Sequence, residues 1–177
     1  MRIFCYARGM NVRALCFTAV LCAAVHLHGQ ASTGSIEVPD EVRVLVQAKG
    51  DGVQTYTCTQ EQGGLHWVLK GPNAKLLDSS GNVIGTHFAG PTWKMNDGGT
   101  VQGQLVASRS TPEPNSVPWL LLRAKAGTAA GSLGGVTFIR RTDTRGGVPT
   151  GGCKDAGDLG KTVEVPYSAT YTFYTPK

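Results

Sequence analysis

The stretch Val163-Glu164-Val165-Pro166-Tyr167-Ser168-Ala169-Thr170-Tyr171-Thr172-Phe173-Tyr174 decides the fold class. From Tyr167 on, Tyr167, Ala169, Tyr171 and Phe173 alternate with Ser168, Thr170, Thr172 and Tyr174. A period of two sends alternate side chains to opposite faces of a strand, and aromatic and β-branched residues suit a pleated, half-buried surface. Pro166 has no N–H to give to a ladder, so the strand begins there or lies at an edge.

The same pattern recurs upstream. Residues 41–48 set Val42, Val44 and Val46 on one face, and residues 53–58 set Tyr56 with Cys58. Residues 65–70 set Leu65, Trp67 and Leu69 against His66 and Lys70. Residues 74–77 and 83–88 flank the turn Asp78-Ser79-Ser80-Gly81-Asn82, and further runs cover 101–108, 117–126 and 136–141. No amphipathic helix exceeds two turns. Turn signals every 8–12 residues predict an all-β fold, an antiparallel sandwich or barrel of nine or ten short strands with little helix. The 24 glycines fit a chain rich in tight turns and bulges.

Residues 1–31 read as a secretory signal. Arg2, Arg8 and Arg13 form a positive start without an acid, residues 14–27 are small and apolar, and Gly29 and Ala31 suit a cut after Ala31. Residues 32–177 then form a single all-β domain, secreted or periplasmic, with no stable membrane anchor after cleavage. The three arginines supply most of the formal charge of +5, which falls to +2 without them. The one tight basic cluster, Arg140, Arg141 and Arg145, has Asp143 inside it, so a nucleic-acid partner is not expected.

Three of the five cysteines lie within residues 1–31, leaving Cys58 and Cys153. An even pair in an oxidising compartment predicts a disulfide, with two unpaired thiols as the alternative. Two cysteines without histidines at ligand spacing make a poor zinc site, so no metal is expected. A nucleophile elbow, a phosphate-binding P-loop and a strand–glycine–helix dinucleotide fingerprint are all missing, and no cofactor is expected.

The order of motifs resembles the exported proteins that share domain of unknown function 3455, found in bacteria and fungi. The resemblance is carried by Tyr56-Thr57-Cys58, Trp67, the block Gly85-Thr86-His87-Phe88-Ala89-Gly90-Pro91-Thr92-Trp93, and Val117-Pro118-Trp119-Leu120-Leu121-Leu122. It continues through Gly135-Val136-Thr137-Phe138-Ile139, Gly151-Gly152-Cys153 and Val165-Pro166-Tyr167-Ser168-Ala169-Thr170-Tyr171. It implies export and a β-rich fold, and supplies no substrate and no catalytic residue.

Chemistry, where present, falls first to His87, whose imidazole titrates near neutrality. With Thr86 and Trp93 it stands where a strand meets a Gly-Pro turn and would line a pocket for a ring-shaped or sugar-like ligand; otherwise it pins the turn. His66 and Trp119 are further ligand-binding candidates, and Arg141 suits an anion. The expected function is non-catalytic binding of a small molecule or glycan. The alternatives are a hydrolase or isomerase using His87 with a carboxylate such as Asp97, and a structural or interaction protein of the envelope.

Overall fold

Alternating patterns become one closed sheet in the computed structural model, which describes residues 32–177. The expected signal segment, residues 1–31, lies outside the described residues. The strands are β1 (Ser32–Thr33), β2 (Val42–Glu61), β3 (Gly64–Leu77), β4 (Val83–Phe88), β5 (Thr92–Met95), β6 (Thr100–Arg109), β7 (Trp119–Ala124), β8 (Phe138–Gly146) and β9 (Thr162–Pro176). From β2 to β9 each strand pairs antiparallel with the next. The last strand then returns to the first long one: β9 pairs with β2 from Val42↔Pro176 to Thr57↔Thr162. The result is an eight-stranded up-and-down barrel, with β1 added parallel to β6.

Nine or ten short strands were expected; the barrel itself has eight, mostly longer ones, and β1 is the ninth strand of the sheet. Residues 41–48 and 53–58 are parts of one strand, β2, and 65–70 and 74–77 are parts of β3. Gly50 and Gly52 interrupt the periodic pattern without interrupting the strand. A Cβ at Gly50 would stand 2.6 Å from the Tyr171 ring, and one at Gly52 would run into Asn73 and Ala74. These glycines make room on the inner face for the side chains of the neighbouring strands. The four-residue strand β5 was not anticipated.

The inward positions of β9 are those the alternation named: Tyr167, Ala169, Tyr171 and Phe173 are all buried. They pack with Ala48, Ala74, Leu76, Trp93 and Ile139 in one core. The barrel is therefore filled, as small eight-stranded barrels often are.

Its two ends are closed differently. At the carboxyl end of β2, the segment between β8 and β9 folds over the opening. Cys58 and Cys153 form a disulfide there, with Cα atoms 5.4 Å apart, and Trp67 Nε1 donates to the Gly151 carbonyl at 2.7 Å. At the opposite end a 3-10 turn, Gly131–Leu133, drives Leu133 fully into the core, followed by Val136. On the outside, Ile36 and Val38 cover Ala107, Leu121, Trp119 and Phe138, and Glu37 pairs with Arg140 at 3.1 Å. Among the described residues no helix is long and apolar enough to cross a membrane.

Candidate functional site

His87 lies inside the barrel. The hairpin of β4 and β5 pairs it directly with Trp93, and the two rings stack at 4.4 Å with planes 7° apart. Tyr171 meets the imidazole edge-on at 4.9 Å and Trp93 at 5.5 Å. Cross-strand aromatic pairs of this kind contribute about 0.5–1.5 kcal/mol beyond the area they bury. His87 Nδ1 lies 2.8 Å from the Thr92 carbonyl. A carbonyl oxygen only accepts, so Nδ1 carries the proton of the neutral ring. Burial holds the imidazole pKa down to about 3; the Thr92 carbonyl acts against this and the Arg141 charge acts with it. His87 is thus neutral and weakly basic across the physiological range.

Around it is a polar lining with few openings. Arg141 faces inward beside Tyr171 and gives both Nε and Nη2 to the Pro118 carbonyl, at 3.0 and 2.8 Å. The Tyr167 and Tyr171 hydroxyls lie 3.3 Å apart, and Tyr56 donates to the Gly147 carbonyl at 2.6 Å. Burial raises the pKa of all three tyrosines, so they stay neutral. Gln54 Oε1, Trp93 Nε1 and Thr144 Oγ1 are buried with no hydrogen-bond partner among the described residues.

The remaining sequence candidates are dispersed. Thr86 points outward from β4, and His66 is exposed on β3. Trp119 lies outside the barrel under the Arg109 guanidinium, 4.9 Å from its ring centre. Trp67 rests over Gly152 in the disulfide-bonded segment. The three tryptophans therefore occupy three separate places. Asp97 is at the rim, where its Oδ1 accepts from the Gly99 N–H at 2.8 Å and the Ser132 hydroxyl at 2.9 Å. These two bonds hold its carboxyl below the usual carboxylate range. His87 turns to Thr92 and Asp97 to Ser132, so the structure does not bring them together as an acid–base pair.

A concavity opens where Asp97 stands. The β2–β3 register ends at Lys49↔Leu77, so residues 42–48 of β2 run on with β9 as their strand partner. A bulge between Val44 and Val46 turns Leu45 outward, 38% exposed. Between this free edge and the starts of β4 and the β5–β6 turn opens a notch of about 490 Å³. Its walls are Leu45, Val46, Val83, Ile84, Met95 and Leu133, and its polar groups are Asn96, Asp97 and Ser132. Apolar walls with a few convergent polar groups, in this size range, are the usual make-up of a small-ligand site. Of these nine residues, Asp97 alone is among the site candidates read from the sequence. The others come from four distant segments, and only the end of the β2–β3 pairing and the bulge at Leu45 bring them together.

Among the described residues, no three His, Cys, Asp or Glu side chains are grouped so as to hold a metal ion. A family model described as "Protein of unknown function (DUF3455)" matches residues 39–175, from just before β2 to the penultimate residue of β9. No curated protein and no solved structure matches the chain.

Proposed function

This chain belongs to the DUF3455 family, and on that premise we propose that it is an exported, non-catalytic binding domain whose small amphipathic ligand sits in the rim notch. One observation carries the reading. The interior around His87 is filled by Trp93 and Tyr171, whereas the notch beside Asp97 is open and apolar-walled. Export is supported by the disulfide, which persists in oxidising compartments, and by the signal-like residues 1–31. Catalysis by His87 finds less support: a neutral imidazole of pKa about 3, its Nδ1–H given to a carbonyl, is a weak general base at neutral pH.

The experiment is a thermal-shift series with octanol, octylamine and octanoate below their micelle concentrations. Val83, 45% exposed at the notch wall, is replaced in Val83→Trp to fill the space. A ligand confined to the folded state raises the midpoint by mass action. The expected result is a shift in the natural chain that disappears in Val83→Trp and persists in His87→Gln. A shift abolished by His87→Gln and kept by Val83→Trp would move the site into the barrel and overturn the reading.

A further inference from the structure

We infer that the notch selects a cationic, hydrogen-bond-donating head on an apolar body, in chemical class an alkyl- or arylammonium. The inference rests on the proposed binding function and specifies its ligand.

The polar groups of the notch are unevenly spent. The Ser132 hydroxyl is committed as a donor to Asp97 Oδ1, and Asn96 Nδ2 is committed to the Val83 carbonyl at 2.8 Å. The backbone N–H of Asn96 goes to the Ile84 carbonyl, and that of Gly98 to the Met95 carbonyl. Among the described residues, Asp97 Oδ2 and Asn96 Oδ1 accept no hydrogen bond, against one remaining N–H on the Asn96 amide. A ligand that brings donors completes this set, and an ammonium brings three. Charge points the same way. The nine lining residues include one carboxylate and no Lys, Arg or His. The Gly99 N–H and the Ser132 hydroxyl favour the ionised form of that carboxylate. An anionic head would face Asp97 without a cation to offset it.

The body of the ligand is set by the six apolar walls. A second groove, of about 390 Å³, adjoins the first through the shared Val46 and Ile84 and continues along residues 46–49 of β2. An unbranched chain therefore has a path away from Asp97, beside the unpaired edge of β2. In that groove Asp78 is likewise held ionised, by Asn82 and the Ser80 N–H, and Lys49 lines the same groove. The Asp97 end is lined by one carboxylate and no cation, whereas the adjoining groove is lined by one of each, which sets the orientation: head at Asp97, tail towards Ile84 and Val46.

The test is calorimetric titration of the natural chain with octylamine, octanol and octanoate at low salt. Octylamine should bind up to about fivefold more tightly than octanol, the upper end of what a solvent-accessible ion pair contributes, and octanoate more weakly than octanol. Raising the salt to about 1 M should erase the amine's advantage and leave octanol unchanged, because the Debye length shrinks to about 3 Å. Asp97→Asn retains an acceptor for Gly99 and Ser132, and should reduce octylamine to the affinity of octanol. Equal binding of amine and alcohol, a salt-independent preference, or a preference that survives Asp97→Asn would overturn the inference while leaving the notch as a binding site. Failure of all three probes to bind would overturn the proposed function as well. Were Asp97→Asn to unfold, the salt series on the natural chain decides alone.

Discussion

The two ends of this barrel do the same job by different means. At one end a covalent bond spanning 95 positions ties the Gly151–Cys153 segment to β2, and Trp67 anchors it further. At the other end Leu133 and Val136 plug the opening, with Ser132 bonded to Asp97. The first arrangement leaves the cap no freedom to leave. The second closes the core while letting the rim stay incomplete, and the notch is the part left uncovered. Permanent closure and an open concavity thus lie at opposite ends, and local opening free energies should differ accordingly.

That contrast can be broken or sharpened by measurement. The largest effect should come from Cys58→Ser with Cys153→Ser. In the loop-entropy model it lowers unfolding free energy by about 4–5 kcal/mol, read by denaturant titration. Leu133→Ala, at the other end, should cost about 3 kcal/mol as a cavity in a packed core, and hydrogen exchange should quicken first around residues 129–136. A cost equal to that of the disulfide would erase the asymmetry. In the wall between the ends, Gly50→Ala forces Tyr171 to move and should cost about 2 kcal/mol.

His87 gives a signature in pH. Its folded pKa of about 3 lies below the ordinary value of 6.5, so the unfolded chain binds the proton more readily. Stability from this group is complete above pH 6.5 and falls by about 1.4 kcal/mol per unit as pH drops towards 3. His87→Gln should lack that slope, and parallel pH curves for the two proteins would refute a buried neutral imidazole. The smallest effect belongs to Val83→Trp, within about 0.5 kcal/mol of the natural stability, because it fills open space at the rim.

Much of the barrel was legible in the residues, because period-two alternation reports burial directly. Tyr167, Ala169, Tyr171 and Phe173 are inward as the pattern required, and Trp119 and Arg123 are outward on β7. The strand count was less legible. Gly50, Gly52 and the Gly71–Pro72 pair look like turns in isolation, and only their neighbours show that they are close approaches. Gly71, at φ +146, sits in the buried bulge opposite Thr55 and Tyr56. The disulfide followed from cysteine number and expected compartment. The site was least legible of all. His87 attracts notice by its chemistry, yet its stacking on Trp93 depends on the hairpin register. The notch owes its existence to where pairing stops, and no single residue signals that.

One feature of the sheet bears on how the chain matures. The seam that closes it joins β2 to β9, pairing residues 42–57 with residues 162–176. A chain made from its amino end delivers β2 first and β9 last. Until the fifteen residues of β9 arrive, β2 has a vacant flank and the inner face lacks Tyr167, Tyr171 and Phe173. Cys153, too, follows its partner by 95 positions. Such long-range pairings make for slow folding and a prolonged exposed edge. Closure of the barrel therefore waits for its last strand, and a chain stopped before residue 162 should be recovered as an open, protease-sensitive sheet.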